Sequence, residues 1–315
     1  MQIILNTTKL TEIFIECDDF MKGLEAFMDS QSLSEGGKQT RNRERALSKS
    51  EMMTIIIYYH YSGMRCFKWY YNLVIKKILK TYFPDAFSYS RFVQLMHELN
   101  LYLAFFMTAC RLSLPTNGNY IDSKKLVVSH NRRIKSHQVH KGIANRGKSS
   151  TGWFFVPIAI GIKLHLVINH LGEIVLFKLT PGNIADNNHE LLESIAEKLQ
   201  CFLFGDRGYI SKIAASLKLK GLNLIAKPRN NMKPQPLTPE HKYYMKHRGL
   251  IETVFDILKN IFDIEHARNR STKNYFVNIL GALIAYSFLD KTPAIPTYQH
   301  KMEKKDFDNA IIKVQ

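Results

Sequence analysis

Residues 162–179 have the sequence IKLHLVINHLGEIVLFKL, in which apolar and polar residues alternate on either side of a short turn. Alternation with a period of two is typical of β-strands, and the residues Asn169 to Gly172 between the two runs predict a β-hairpin. Further predicted elements flank the hairpin: a short strand ending in YID at 120–122, a helix around 188–199, a buried strand CFLFGD at 201–206, a helix around 211–220 and a strand LNLIAKP at 222–228. Three strands followed by alternating helices and strands predict an α/β layer with one mixed sheet.

The regions on both sides of this layer are predicted to be helical. Before the break SLPTNGN at 113–119, glycine is rare and no alternation is sustained. The residues SKSE at 48–51 form a capping-box pattern, in which Ser48 caps a helix and Glu51 reaches back to it. Other helices are predicted around 66–82, 90–112, 241–262 and 273–289. The chain therefore divides into a helical domain over 1–113, an α/β domain over 114–290 and a polar, loosely ordered tail over 291–315.

The charge of the chain indicates a polyanionic partner. The 315 residues carry 44 Lys and Arg against 27 Asp and Glu, a formal net charge of +17. Apolar runs such as ILGALIAYSFL are too short to span a bilayer, and the first residues lack the pattern of a signal peptide. Four scattered cysteines without C-x-x-C pairs predict reduced, mostly buried thiols in a cytoplasmic protein. Nucleic acid is thus the favoured partner, and a merely soluble basic surface is the alternative.

The stretch GIANRGKS at 142–149 matches the phosphate-binding pattern G-x-x-x-x-G-K-[ST], but its surroundings do not fit. A phosphate loop needs a buried strand before it and a helix that begins at the Lys-Ser pair. The preceding residues HNRRIKSHQVHK are too basic for a buried strand, and Gly152 and Pro157 interrupt the residues that follow. We therefore predict no nucleotide cofactor.

Three acidic residues stand out by their positions in the predicted elements. Asp122 closes the first strand candidate, and Asp206 closes the buried strand FLFGD, where an unpaired carboxylate is costly. Glu252 lies in HRGLIETVFDILKNIF, beside an apolar stripe and in one row with Arg248. A solvated helix face with an Arg248–Glu252 ion pair is one interpretation of this row. The other is that three carboxylates converge on Mg²⁺ or Mn²⁺, with Asp186 as an alternative second acid and Asp256 as an alternative third.

Six segments together resemble the DDE transposases of bacterial insertion sequences over roughly residues 115–290. They are YIDS, HNRRIKSHQVHKGIANRGKSSTGWFF, KLHLVIN, KLTPGN, FGDRGY and IETVFDILKN. The spacing R-x3-E-x6-K of Arg248, Glu252 and Lys259 matches a signature around the third acid in related groups of transposases. Some of those groups place a tyrosine at the position of Met245, so that tyrosine has no counterpart here.

This resemblance implies an RNase H-like mixed sheet flanked by helices, preceded by an all-α N-terminal domain. That helical domain would pack on DNA or on the rest of the chain, and we predict DNA binding. It implies that Asp122, Asp206 and Glu252 are catalytic and bind Mg²⁺ or Mn²⁺, as two ions, for cleavage at the element's ends and strand transfer into target DNA. The DNA-contacting residues would be Arg132, Arg133, Lys135, Lys141, Arg146, Lys148, Arg248 and Lys259. A homodimer or larger assembly on DNA, associated with the nucleoid in the cytoplasm, is expected from the same resemblance.

Two further features leave alternatives open. His130, His137 and His140 permit a zinc interpretation, but they have no cysteine companions, and contacts with DNA are favoured. Members of the family usually continue from TGWFF almost directly into the next strand, whereas this chain has VPIAI inserted at 156–160. An insertion into a core strand requires a bulge or a loop. The alternatives to an active transposase are a catalytically inactive DNA-binding remnant and a related nuclease that cuts without joining.

Overall fold

The structure is a computed structural model that describes residues 5–34, 46–127, 161–228, 232, 236–265 and 271–303. The chain forms two compact units. The first comprises Met1–Arg111 and Leu258–Leu289, and the second comprises Leu112–Ile257 and Asp290–Gln315. The first unit thus takes in a C-terminal segment that the sequence analysis assigned to the α/β domain, and the domain limits 1–113, 114–290 and 291–315 stay a prediction.

Within its described residues, the first unit contains helices and no strand. The α-helices that lie in it are α1 (Thr7–Ser34), α2 (Lys49–Tyr61), α3 (Phe67–Trp69), α4 (Tyr89–Leu95), α5 (Asn100–Phe106) and α10 (Thr272–Ser287). π-Helices at Tyr70–Ile78 and Met107–Arg111 and a 3₁₀ turn at Met96–Leu99 continue α3, α5 and α4. The capping box at the start of α2 is confirmed: Ser48 Oγ accepts from Glu51 N at 3.1 Å, and Glu51 Oε2 accepts from Ser48 N at 2.7 Å.

Helices α2 and α10 form the centre of this unit. Both are apolar on nearly every side, which is the pattern of a helix buried all round. They approach closely at Gly281, where an added Cβ would lie 2.7 Å from Ile56 and 3.0 Å from His60. His60 also lies with its Nδ1 2.6 Å from the Phe262 carbonyl oxygen, which ties α2 to the chain ahead of α10. The helical prediction is therefore confirmed for the described part, although the helices are shorter and more interrupted than expected.

The second unit is built on a five-stranded mixed sheet. Its strands are β1 (Asn119–Val127), β2 (Gly161–Asn169), β3 (Ile174–Pro181), β4 (Phe202–Gly205) and β5 (Asn223–Ala226), in the order β3-β2-β1-β4-β5. β1, β2 and β3 pair antiparallel, whereas β4 pairs parallel with both β1 and β5. The predicted hairpin, the mixed sheet and the RNase H-like fold class are confirmed.

The first strand is longer than predicted. Asp122 was expected to close it, but β1 continues to Val127, and Asp122 lies inside the strand opposite Leu166. The physical reason is the ladder with β2, which pairs every residue from Asn119 opposite Asn169 to Val127 opposite Gly161. These pairings satisfy the backbone groups of a segment whose polar side chains look like a strand end in the sequence.

The two faces of the sheet carry different helices. On one face, Ile121 and Val167 belong to the apolar core, together with residues of α6 (His189–Ala196) and α7 (Ala214–Leu219). On the other face, Phe204 packs against Tyr244 of α8 (Pro239–Lys246) and against Tyr120. Successive side chains of a strand point to opposite faces, so Asp122 shares the α8 face with Tyr120, and Ser123 shares the α6 face with Ile121.

The long helix predicted over 241–262 is two helices, α8 and α9 (Leu250–Asn260), with a turn over residues 247–249. Gly249 disfavours the helical conformation, and the His247 ring lies with its Nδ1 2.8 Å from the Tyr243 carbonyl at the end of α8. The expectation of one continuous helix was wrong for this reason. Arg248 thus lies in the turn and Glu252 in the first turn of α9.

Two smaller expectations are also corrected. All four cysteines are free, but Cys66 and Cys110 are exposed rather than buried. The described beginning of the predicted tail is held against the β2–β3 turn: Ile295 N donates to the His170 carbonyl at 2.9 Å, and Thr292 Oγ1 donates to the Leu171 carbonyl at 2.6 Å. This segment is fixed by hydrogen bonds to the backbone carbonyls of the turn, which composition does not reveal.

Candidate active site

Asp122 of β1 and Asp206, the residue that follows β4, lie at the same level of two neighbouring parallel strands. Tyr120 of β1 pairs with Phe204 of β4, and each aspartate lies two residues beyond that pair. The carboxylates are close enough for the charge of Asp206 to act on the protonation of Asp122. The structure therefore brings together the two acids that the sequence analysis placed at strand ends.

Each of these carboxylates is held by a nearby backbone N–H. Ser123 N donates to Asp122 Oδ1 at 2.8 Å, and Gly208 N donates to Asp206 Oδ1 at 2.8 Å. Asp206 is also the N-terminal cap of a short 3₁₀ helix, Arg207–Tyr209, which turns the chain away from β4. Because these donors come from the local main chain, both side chains are oriented before any ligand arrives.

The electrostatic environment of Asp122 is unusual for an aspartate. Burial raises the pKa of this carboxyl to about 6, and the charges of Asp206 and Asp186 add to that effect. The Ser123 N–H and the Arg248 guanidinium act in the opposite direction and favour the ionised form. A carboxylate crowded by other carboxylates in a partly buried site gains stability from a cation placed beside it.

Among the described residues, Arg248 is the cationic side chain that contacts both Asp122 and Glu252. Its Nη1 lies 3.5 Å from Asp122 Oδ2, and its Nη2 lies 2.7 Å from Glu252 Oε1. The Glu252 side chain is 59% exposed, so this pair is solvent-screened. Glu252 is therefore connected to Asp122 through a guanidinium.

Helix α9 orients Glu252 by burying its opposite side. Ile251, Val254 and Phe255 are buried, as the predicted apolar stripe requires, whereas Glu252 and Asp256 are exposed. Ile261, which follows the end of the helix, is half exposed. The apolar stripe thus fixes the rotation of α9 and leaves Glu252 on its accessible side.

Asp186, which the sequence analysis considered only as an alternative second acid, lies in a turn after β3. This turn brings Asp186 to the α6 face of β1 and β2. Its Oδ1 accepts from Ser123 Oγ at 2.7 Å and from Lys163 Nζ at 3.2 Å. The ring of His165 lies 3.9 Å away, and burial lowers the pKa of His165 to about 4, so the ring is neutral at pH 7. Ser123, Lys163 and His165 are site residues that the sequence analysis missed.

A signal for two of these residues was present in the sequence. Lys163 and His165 occupy alternate positions of β2, the pattern of side chains on one face of a strand, and both are buried. A buried lysine is rare unless it is paired, so a basic residue inside an apolar strand indicates a buried acidic partner elsewhere. The identity of that partner, Asp186, emerges only from the fold.

The remaining predicted site residues do not join this group in the described structure. Lys259 forms an ion pair with Glu265 at 3.0 Å, and Asp256 is exposed one helical turn after Glu252. Tyr244, which neighbours the position of the missing family tyrosine, is buried against Phe204 and does not take its place. The following predicted features lie outside the described residues: Arg132, Arg133, Lys135, Lys141, Arg146, Lys148, the three histidines His130, His137 and His140, GIANRGKS at 142–149 and VPIAI at 156–160.

The carboxylates around Asp122 have the chemistry of a divalent-cation site, although they are not arranged as ligands are around a bound ion. Within the described ranges, no three His, Cys, Asp or Glu side chains stand close enough together to hold a metal ion. The donors of Asp122 and Asp206 are nevertheless carboxylate oxygens, which suit Mg²⁺ and Mn²⁺. The glycine at 208 leaves space beside Asp206, since an added Cβ would lie 2.9 Å from Asp206 Oδ1. The residues present therefore fit a hard divalent cation.

The fold and this arrangement define an RNase H-like domain with an acidic centre. Residues 113–272, just over half of the chain, match the family described as the transposase DDE domain, and the match includes Asp122, Asp206 and Glu252. The chain belongs to the family of DDE transposases. Members of this family act on DNA and generally use a divalent metal ion. Comparisons with curated proteins and with solved structures gave no match.

No helix in the described part of the chain combines the length and the apolar content that a bilayer crossing needs.

Proposed function

We propose that this chain is the transposase of an insertion sequence, which cleaves phosphodiester bonds at the element's ends and transfers the freed strands into target DNA. Asp122, Asp206 and Glu252 are the proposed catalytic acids. The observation that carries this proposal is the level placement of Asp122 and Asp206 on β1 and β4, with Glu252 connected to Asp122 through Arg248. Membership in the DDE transposase family supports the same assignment.

The proposed roles of the chain's own groups follow from their contacts. Ser123 N–H and Gly208 N–H hold the Asp122 and Asp206 carboxylates in place for two Mg²⁺ or Mn²⁺ ions. Such ions, when bound, stabilise the charge on the attacking and leaving oxygens of a phosphodiester. Glu252 joins this set once Arg248 releases it, and the released guanidinium is then available to a phosphate.

DNA is the proposed partner of the basic surface. Residues 122–150 contain eight Lys and Arg side chains against one acid, Asp122, and this charge favours contacts with the phosphate backbone. We propose phosphate contacts for Arg132, Arg133, Lys135, Lys141, Arg146, Lys148, Arg248 and Lys259. Binding through such contacts weakens steeply as the salt concentration rises. A homodimer or larger assembly on paired ends is part of the proposal.

The reaction is tested with linear DNA that carries the element's own ends, incubated with the full chain and Mg²⁺ or Mn²⁺. Products in which an element end is joined to target DNA are the expected result. Cleavage without joining would identify the related nuclease instead. Binding that retards the DNA without any cutting, in every metal tested, would identify an inactive DNA-binding protein.

The third acid is tested by Glu252→Ala, with Asp256→Ala as the matched control one helical turn later on α9. Both changes remove one exposed carboxylate from the same helix, so they alter the net charge equally. We expect Glu252→Ala to abolish cleavage and retain DNA binding, and Asp256→Ala to retain both. Cleavage that survives in Glu252→Ala and disappears in Asp256→Ala would transfer the role to Asp256.

A further inference from the structure

Asp186 lies beside the candidate site without belonging to the three proposed acids. It comes from the segment between β3 and α6, two residues before Asn188, which caps α6. The Asn188 side chain accepts from Leu191 N at 2.9 Å, so the start of the helix fixes this segment close to Asp186. The Asp186 carboxylate therefore approaches β1 from the α6 face, whereas Asp122 is on the α8 face of the same strand.

Ser123 connects these two carboxylates. Its backbone N–H donates to Asp122 Oδ1 at 2.8 Å, and its hydroxyl donates to Asp186 Oδ1 at 2.7 Å. Ser123 thus holds two carboxylates that lie on opposite faces of one strand. A hydroxyl bonded to a fixed carboxylate restrains its residue, and here that residue supplies the donor that orients Asp122.

The charge of Asp186 is balanced by a buried ammonium group. Lys163 is 7% exposed, and its Nζ donates to Asp186 Oδ1 at 3.2 Å and to the Ile184 carbonyl at 2.6 Å. The same Asp186 oxygen therefore accepts from both Ser123 and Lys163. A carboxylate oxygen that already has two donors, one of them charged, is a poor ligand for a further cation, because metal binding would have to displace a buried ion pair.

We propose that Asp186 is a positioning residue, which acts through Ser123 to hold Asp122 in its binding orientation and does not itself ligate metal. The ion pair with Lys163 holds the Asp186 carboxylate in place. This inference rests on the proposed function, since it assigns the support of Asp122 in that same acidic site. It also accounts for the proximity of Asp186, the alternative second acid of the sequence analysis, to Asp122.

The test measures Mn²⁺ binding to the full chain without DNA, by the electron paramagnetic resonance signal of free Mn²⁺. The variants are Ser123→Ala, Ser123→Thr and Asp186→Asn, with Asp122→Asn and Asp206→Asn as references. We expect Ser123→Ala and Asp186→Asn to weaken binding by about 10- to 100-fold, as changes to groups behind a ligand do, and Ser123→Thr to stay within about threefold of the unchanged protein. The two reference variants should lose measurable binding.

Ser123→Ala keeps the inference testable if Asp186→Asn fails to fold, because it leaves the Lys163–Asp186 pair intact. Loss of binding in Asp186→Asn equal to that in Asp122→Asn, with Ser123→Ala unchanged, would overturn the inference by making Asp186 a direct ligand. Binding of Mn²⁺ at full strength by both Ser123→Ala and Asp186→Asn would overturn it as well. If Asp122→Asn and Asp206→Asn bind like the unchanged protein, the proposed metal site fails first, and this inference fails with it.

Discussion

Arg248 and Glu252 form an ion pair of 2.7 Å, in which Arg248 Nη2 meets Glu252 Oε1, across the first turn of α9. The same guanidinium lies 3.5 Å from Asp122, so one cationic side chain touches two of the three proposed acids. A positive group in this position partly offsets the repulsion among the carboxylates in the absence of metal. In the proposed site, a divalent cation bound by Glu252 and Asp122 would therefore compete with Arg248.

Replacement of Arg248 by Gln is expected to separate metal binding from catalysis. The variant should bind Mn²⁺ several times more tightly, because the competing guanidinium is gone, and should cleave DNA at least about tenfold more slowly, because a phosphate-facing cation is lost. Manganese titrations and single-turnover cleavage rates measure the two effects. Lys246→Gln is the matched control, since it removes one charge at the end of α8. Unchanged Mn²⁺ affinity in Arg248→Gln would contradict the competition.

The raised pKa of Asp122 predicts that the metal-free protein loses stability as the pH rises. The folded-state pKa, about 6, is above the ordinary value, so folding favours the protonated carboxyl. This contribution is fully present below about pH 4 and is lost as the pH rises through 6. Asp122→Asn, which cannot ionise, should therefore gain up to about 3 kcal/mol over the unchanged protein at pH 8 and differ little at pH 4.

Thermal unfolding in a chelating buffer at both pH values measures this difference. The control is Asp256→Asn, which changes an exposed carboxylate of α9 and should show no pH-dependent gain. An equal effect of Asp122→Asn at pH 4 and pH 8 would mean that the burial of Asp122 does not control its ionisation.

The same pKa predicts the pH dependence of metal binding. A carboxyl must be ionised to act as a ligand, so the affinity for Mn²⁺ should fall by about tenfold per pH unit below pH 6 and level off above it. Titrations from pH 5 to pH 8 are the measurement. Affinity that is constant down to pH 5 would exclude Asp122 from the ligand set.

Gly208→Ala is expected to disturb the site without a backbone cost. The new Cβ would lie 2.9 Å from Asp206 Oδ1 and 3.4 Å from Asp186 Oδ2, and Gly208 has no positive φ that would itself require glycine. Displacement of the Asp206 carboxylate should slow cleavage by about 10- to 100-fold. Gly23→Ala in α1 is the control, because nothing lies within 4 Å of its added Cβ. Equal cleavage rates in the two variants would show that Asp206 tolerates the displacement.

The elements that follow from local patterns were predictable. Alternation with a turn at Asn169–Gly172 predicts the β2–β3 hairpin, and the apolar stripe of α9 predicts which side of that helix is buried. In each case the information lies within a few residues, or within a regular repeat.

Contacts between distant segments were not predictable in the same way. The spacing of Arg248 and Glu252 indicates their ion pair, but no spacing indicates that Arg248 also touches Asp122. The Lys163–Asp186 pair depends on where the chain after β3 turns, and the length of β1 depends on its partner strand. These features arise from tertiary packing, which local propensity does not encode.

The hydrogen-bonded pairing of β1 with β4 includes only two residue pairs and stops at Tyr120 and Phe204, just before the two aspartates. No β1–β4 hydrogen-bonded pair therefore holds the two chains together at the level of the carboxylates. A small change in the distance between Asp122 and Asp206 would break none of these pairings. Selection of Mg²⁺ over the larger Mn²⁺ would then depend on side chains, because no pairing of the two strands fixes the width of the site.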